Sequence, residues 1–83
     1  MANKAYYYHV DMVAVGKRIR SFRKQQGISM NQMVDFFDIS PQALYKWERG
    51  ESLPEIQNLF ALSRLLKVSI DDILVGDYSV AAA

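Results

Sequence analysis

The sequence contains no cysteine and only one histidine, His9. Without cysteine there is no disulfide framework, no thiolate zinc site and no cysteine nucleophile. One histidine leaves too few ligands for a histidine-based metal site. The sequence also lacks an uncharged apolar run long enough to span a membrane, and its N-terminus lacks the apolar segment of a signal peptide. We therefore expect a cytoplasmic protein without a metal, a cofactor or a small-molecule ligand.

Basic and acidic residues are nearly equal in number over the 83 residues, which gives a formal net charge of +1, but they are unevenly distributed along the chain. Residues 1–50 hold eight Lys and Arg against four Asp and Glu, whereas residues 51–83 hold two against five. Five basic residues and no acidic residue lie between Lys17 and Lys24. Such a run is common on a solvated helix face, and it also favours a polyanionic partner.

Apolar residues recur at helical spacing in five segments, which predicts an all-α domain. Helix-capping serines followed by good first-turn residues mark three of the starts, at Ser29, Ser40 and Ser69. Proline directly after Ser40 suits the first turn of a helix. The predicted helices run from Met12 to Gln26, from Ser29 to about Phe37, from Ser40 to Glu48 or Arg49, from about Glu55 through Leu66, and from Ser69 until Gly76. The inner face of the fourth helix is predicted to hold Ile56, Leu59, Leu62 and Leu66.

The two ends of the chain lack the helical spacing of the central part. We expect residues 12–76 to form the domain, residues 1–11 an N-terminal arm and residues 77–83 a C-terminal tail. Alternation typical of a strand is weak and confined to Tyr6–Val10. The three tyrosines at 6–8 are compatible with a flexible arm, with packing on the domain, or with covering a partner.

The break between the second and third helices is short, since it contains only Asp38, Ile39 and Ser40. Two helices joined by such a turn suit DNA recognition, because the major groove admits one helix while the preceding helix crosses the backbone. The pattern therefore predicts a helix-turn-helix unit, although such units also occur in proteins that bind no DNA.

Specific motifs extend this interpretation. They are Ile19-Arg20 with Arg23, Gly27-Ile28-Ser29, Ile39-Ser40 through Leu44, Trp47-Glu48-Arg49-Gly50 with Pro54, Leu59, Leu62, and Val68 to Leu74. In these residues the chain resembles the phage-repressor and Cro family, the XRE-type helix-turn-helix domains. The resemblance implies a five-helix lambda-repressor-like fold that binds double-stranded DNA.

The resemblance also implies which residues meet the DNA bases. It places base contacts at Pro41, Gln42, Tyr45 and Lys46, on the first exposed positions of the third helix. Gln42 suits the role on chemical grounds, because its amide can bond adenine N6 and N7 together. Lys46 can reach guanine or a phosphate, and Tyr45 can pack on a thymine methyl or bond a phosphate. A solvated helix surface is the alternative for each.

Other residues are implied to hold the framework or to contact the DNA backbone. Arg23 and Glu48 resemble a structural ion pair between the first and third helices, and Arg49 resembles a backbone contact. The family's usual glutamine at the start of the second helix is Met30 here. Its phosphate contact is therefore lost or passes to Ser29, Asn31 or Gln32.

Two further departures concern the turn and the packing of its helices. Asp38 replaces the usual turn glycine, and aspartate tolerates left-handed backbone angles better than most residues. Val34 replaces a smaller alanine and is expected to open the angle between the second and third helices slightly.

The region of the fourth and fifth helices carries more large apolar residues than one core face requires: Phe60, Leu65, Leu66, Val75 and Tyr78. Exposed apolar patches mark protein contacts, and the resemblance implies a homodimer formed through this region. The predicted function is a transcriptional regulator, a repressor that binds a palindromic operator. The alternative is a protein-interaction module, an antitoxin or adaptor. We expect no catalytic site, because Asp71 and Asp72 have no neighbouring base or nucleophile.

Overall fold

Five helices form the body of the protein, as the sequence predicts. The computed structural model describes the backbone of residues 6–80 and the side chains of residues 9–76. The helices are α1 (Met12–Gln25), α2 (Met30–Phe37), α3 (Pro41–Arg49), α4 (Ile56–Leu66) and α5 (Ile70–Ile73). Among these helices of the described chain, none combines the length and the apolar character that crossing a membrane requires.

Side-chain caps determine where the helices begin. The Ser40 hydroxyl accepts a hydrogen bond from the backbone N–H of Ala43 at 3.1 Å, which satisfies a donor left free at the start of α3. At α5, Ser69 and Asp72 form a reciprocal capping box in which both hydrogen bonds are 3.0 Å long. The hydrogen bond from the Ser69 backbone, followed by that from its hydroxyl, lowers the pKa of Asp72. The three serine caps predicted from the sequence are confirmed.

The turn between α2 and α3 accommodates its aspartate. Asp38 ends α2 in the left-handed conformation, with φ 52° and ψ 50°. The next residue, Ile39, donates its backbone N–H to the carbonyl of Val34 at 3.3 Å and packs against the core. The turn therefore keeps its tight geometry with aspartate in place of glycine.

A single core joins all five helices, and its tightest contact lies between α1 and α3. Gly16 of α1 packs against the end of α3, where a Cβ would lie 2.5 Å from the carbonyl oxygens of both Trp47 and Glu48. Only a residue without a side chain permits this approach of the two backbones. The fully or nearly buried hydrophobic residues are Val15, Ile19, Met33, Leu44, Trp47, Leu59, Leu62, Leu66 and Ile73.

The α4–α5 region departs from the sequence-based prediction in its choice of exposed residues. Leu66 is fully buried, and Leu65 and Val75 are half-buried against the core, so these three do not form a surface patch. Ile56, predicted to face inward, is instead 74% exposed. It is the first residue of α4, and the first residue of this helix to enter the core is Leu59, three positions later. The side chain of Tyr78 lies outside the described side chains.

Two strands lie outside the helical body, in the segments predicted as an N-terminal arm and a C-terminal tail. β1 (Tyr6–Val10) pairs antiparallel with β2 (Gly76–Val80), in a register that places Tyr6 opposite Val80 and Val10 opposite Gly76. The pairing joins segments from opposite ends of the chain, so no local pattern could reveal it. Helix α5 ends at Ile73, earlier than the predicted end at Gly76, and Gly76 is the first residue of β2. Residues 1–5 and 81–83 of the predicted arm and tail lie outside the described residues.

Candidate nucleic-acid interface

Helix α3 presents every predicted base-contact residue on its outer surface. Pro41, Gln42, Tyr45 and Lys46 are exposed, as is Arg49 at the end of the helix. The opposite face is buried through Leu44 and Trp47. The buried residues thus set the rotation of the helix about its own axis, and this rotation leaves the polar residues available to a ligand.

The outer surface of α3 is divided into two stripes. Gln42 and Lys46 are four residues apart and therefore neighbours along one line of the helix, and Tyr45 and Arg49 are neighbours along an adjacent line. The Arg49 guanidinium carbon lies 5.8 Å from the centroid of the Tyr45 ring, at cation–π distance. Tyr45 therefore lies beside Arg49, the predicted backbone-contact residue.

A buried ion pair connects α3 to α1. Nε of Arg23 donates to Oε2 of Glu48 at 2.7 Å, and Nη2 donates to Oε1 at 3.2 Å. The remaining nitrogen, Nη1, donates to the backbone carbonyl of Ile28 at 3.0 Å. The two charged side chains are only 8% and 7% exposed. This forked arrangement is among the stronger hydrogen-bonded ion pairs, and it ties the end of α3 to both α1 and the approach to α2.

A second pair lies on the surface beyond α3. Nε of Arg49 is 2.9 Å from Oε2 of Glu51, and the side chains are 60% and 51% exposed. Such an exposed pair contributes little to stability, because water solvates both charges well. Arg49 is thus free to exchange its carboxylate partner for a phosphate at small cost.

The start of α2 has three polar residues that could make the phosphate contact that Met30 cannot make: Ser29, Asn31 and Gln32. The Ser29 hydroxyl accepts the backbone N–H of Gln32 at 3.1 Å, and the Gln32 side-chain oxygen accepts the Ser29 N–H at 2.8 Å. Both residues are exposed, and since each side chain acts as an acceptor in these bonds, the Ser29 hydroxyl hydrogen and the Gln32 side-chain NH2 group are available to donate. Asn31 is also exposed, whereas Met30 is half-buried and packs against the core.

A pocket of about 360 Å³ lies where α1, the start of α2 and the end of α3 meet. It brings together Tyr45 and Arg49 with both members of the buried ion pair. It also includes Arg20, to which the sequence analysis assigned no role. The available signal was its spacing, because Arg20 lies one helical turn before Arg23 on the same side of α1. The lining residues are Arg20, Arg23, Met30, Tyr45, Glu48 and Arg49.

Comparison with known families agrees with this geometry. The helix-turn-helix family model matches residues 19–73, which covers α1 from its middle, all of α2 to α4, and α5 to its last residue. The chain belongs to the phage-repressor and Cro (XRE-type) helix-turn-helix family. The resemblance drawn from the sequence motifs is therefore confirmed.

Several transcriptional regulators and repressors are similar in sequence to this chain. The transcriptional regulator DicA of Escherichia coli is 40% identical over 65 residues, which cover 78% of this chain and 48% of DicA. Repressor protein C2 of Salmonella phage P22 is also 40% identical over 65 residues, covering 78% and 30%. A prophage-derived regulator of Bacillus subtilis, YonR, is 36% identical over 64 residues, covering 77% and 59%. The chain thus spans between 30% and 59% of the length of these relatives.

Solved structures confirm the fold. The restriction-modification controller protein C.AhdI from Aeromonas hydrophila superposes with a TM-score of 0.67 at 22% identity, covering 76% of this chain and 96% of that one. The clp gene regulator ClgR from C. glutamicum gives a TM-score of 0.65 at 27% identity, covering 75% and 80%. The lambda-repressor-like arrangement of five helices is therefore shared with a controller protein and a gene regulator of known structure.

Two further features bear on possible partners. Ile56 and Phe60, one turn apart on α4, are 74% and 53% exposed, and the guanidinium of Arg64 lies 5.1 Å from the Phe60 ring centroid. This apolar surface is named the α4 patch below. Within the part of the chain that the structure describes, no three His, Asp or Glu side chains are placed to hold a metal ion.

Proposed function

We propose that this chain is the sequence-specific DNA-binding domain of a cytoplasmic transcriptional regulator, a repressor that binds duplex DNA as a homodimer. The observation that carries the proposal is the stripe of Gln42 and Lys46 on α3, a helix held in place by the buried pair of Arg23 and Glu48. The names of the relatives, among them a phage repressor, support it.

In this proposal α3 enters the major groove with its N-terminal half foremost. Gln42 lies in the first turn of α3, where a side chain reaches a base edge, and its amide matches adenine N6 and N7. Lys46, one turn further on, meets guanine or a phosphate, and Pro41 packs at the helix start. The exposed start of α2, with Asn31 foremost, faces the DNA backbone, which sets the register without reading sequence.

Selection of bound duplexes from a random pool tests this function. A palindromic consensus is the expected result, because a twofold dimer reads two inverted half-sites. Binding of the selected duplex should weaken steeply with salt, since phosphate contacts release counterions. If no duplex is enriched and binding is absent at low salt, the proposal is wrong, and the alternative of a protein-interaction module is favoured.

The α4 patch is the proposed dimer contact. An isoleucine and a phenylalanine that are both more than half exposed on one helix face gain stability when a second copy covers them. A twofold axis through the patch pairs the same residues from both copies, as an isologous interface requires. The sequence-based expectation of a dimer through this region thus rests on Ile56 and Phe60, rather than on Leu65, Leu66 and Val75.

Sedimentation equilibrium of matched variants tests the dimer. Phe60→Glu places a charge in the α4 patch and is expected to yield a monomer. The control is Phe36→Glu, which adds the same charge at a phenylalanine on α2 that is equally exposed, at 56% against 53%, and should leave the dimer intact. A Phe60→Glu protein that still sediments as a dimer would show that the interface lies elsewhere.

A further inference from the structure

The pocket between α1 and α3 has more positive charge than its internal ion pair neutralises. Three arginines and one glutamate line it. Both carboxylate oxygens of Glu48 accept hydrogen bonds from Arg23, so Glu48 does not pair with the other two arginines. The excess charge among the lining residues therefore lies on Arg20 of α1 and Arg49 of α3, and the carboxylate partner of Arg49, Glu51, is not part of the lining.

Arg20 contributes a guanidinium that has no carboxylate partner among the described side chains. Its side chain is exposed, and among the described side chains the ion pairs are those of Arg23 with Glu48 and of Arg49 with Glu51. By contrast, Arg18 on the other side of α1 donates to the backbone carbonyl of Asp72 at 2.7 Å. Arg20 is thus a basic residue of α1 that is both directed at a concave site and unpaired.

Met30 forms a third wall of the pocket and offers no hydrogen-bond donor to a ligand there. Met30 stands where the family resemblance expects a glutamine, and its thioether has no N–H to donate. Ser29 and Gln32, the neighbouring polar residues, are not among the residues that line this pocket. Arg20 reaches the same pocket from α1 and supplies the donor that position 30 lacks.

We propose that Arg20 and Arg49 together bind one DNA phosphate at this pocket, so that Arg20 replaces the missing amide donor at Met30. This inference rests on the proposed DNA binding. A phosphate is the fitting ligand because a guanidinium fork pairs with phosphate oxygens through two parallel hydrogen bonds. The Tyr45 ring, at cation–π distance from Arg49, holds that guanidinium at the rim of the pocket. Tyr45 is consequently a positioning residue of the backbone contact.

The pocket lies beside the stripe of Gln42 and Lys46, so its ligand is distinct from the bases that the stripe reads. A phosphate bound here fixes how deeply α3 enters the groove, because it joins the end of α3 and the last turns of α1 to one point of the DNA backbone. Loss of the contact should weaken binding to all duplexes alike.

Gel-shift titration of the selected duplex at several salt concentrations tests the role of Arg20. Arg20→Gln is expected to bind about tenfold more weakly, as for the loss of a charge-assisted hydrogen bond, and to reduce the salt slope by about one unit per bound protomer. Arg20→Lys should recover part of the affinity, because a point charge remains without the fork. The control Arg18→Gln removes the same charge from the other side of α1 and should bind within about twofold of wild type. Thermal melting of each variant verifies folding.

A second measurement asks whether both arginines meet the same phosphate. Single methylphosphonate substitutions along the selected duplex remove one backbone charge at a time. At one position the substitution should weaken binding of wild type, whereas it should weaken binding of Arg20→Gln and of Arg49→Gln only slightly, because each variant has already lost that contact. On the unmodified duplex, the loss of affinity in the double variant should be smaller than the product of the two single-variant losses.

The outcomes separate this inference from the proposed function. If wild type binds no duplex, the proposed function and this inference both fail. If wild type binds but Arg20→Gln matches Arg18→Gln, or if the two arginines respond to different phosphates, DNA binding stands and the shared-phosphate site is wrong.

Discussion

Two arginine–glutamate pairs occupy contrasting regions of the molecule. One lies in the interior between α1 and α3, and the other lies on the surface just beyond α3. The distances are similar, 2.7 Å for Arg23 and Glu48 and 2.9 Å for Arg49 and Glu51. The exposures are opposite, below one tenth in the interior and above one half at the surface. A buried pair cannot lose one partner without leaving an unsolvated charge, whereas an exposed pair exchanges partners freely. The first pair therefore belongs to the framework, and the second leaves its arginine available to DNA.

The largest expected effect lies in the interior, at the residue that precedes Glu48. Trp47→Ala removes a nearly buried indole that packs edge-on against Phe37, with ring centroids 5.5 Å apart. Unfolding free energy measured by urea titration should fall by about 3–5 kcal/mol, as for other buried aromatics. A loss below about 1 kcal/mol would mean that the interior does not depend on this side chain.

Glu48→Ala is the next largest change and addresses the buried pair directly. We expect a loss of about 3 kcal/mol in unfolding free energy, because Arg23 remains buried without its carboxylate. DNA affinity should fall as well, since the end of α3 loses its connection to α1, even though Glu48 has the wrong charge to contact phosphate. Unchanged melting together with tighter DNA binding would show that the residue acts only as a surface charge.

Gln42→Ala and Arg49→Ala extend the comparison to the two stripes of α3. Loss of a bidentate base contact at Gln42 should cost about 1–3 kcal/mol of binding free energy and relax preference at one base pair. Loss of Arg49 should weaken all sequences similarly and reduce the salt slope by about one unit. Repeating the random-pool selection with each variant checks both results. A consensus unchanged by Gln42→Ala would exclude this side chain as a reader of bases.

The smallest expected effect is that of Glu51→Ala at the exposed pair. Unfolding free energy should change by less than about 1 kcal/mol. DNA should bind more tightly, because Arg49 no longer shares its guanidinium and an acidic group has left the neighbourhood of the phosphate. The pair of alanine variants at Glu48 and Glu51 thus gives opposite signs in the same gel-shift assay. A Glu51→Ala protein that binds DNA more weakly would show that this pair, too, is structural.

The helices and the turn between α2 and α3 could be predicted from local sequence. Their boundaries follow from short-range chemistry, because a serine hydroxyl caps the N–H groups two or three residues ahead and a residue in the left-handed conformation ends a helix. Ser29, Ser40 and Ser69 are such caps, and Asp38 and Gly50 are such ends. The family resemblance also implied a pair of Arg23 and Glu48, and their side chains lie 2.7 Å apart in the structure.

The contacts between distant segments could not be predicted in this way, because they depend on how the helices and strands pack. The pairing of β1 with β2, the close approach at Gly16, the exposure of Ile56 and the place of Arg20 in the pocket all depend on elements that are far apart in sequence. Helical spacing indicates which residues share a face, but not whether a neighbouring helix extends far enough to cover that face. Ile56 shares the apolar spacing of Leu59 and yet lies beyond the edge of the core. Arg20 resembles any solvated arginine of a basic helix until the end of α3 is placed opposite it.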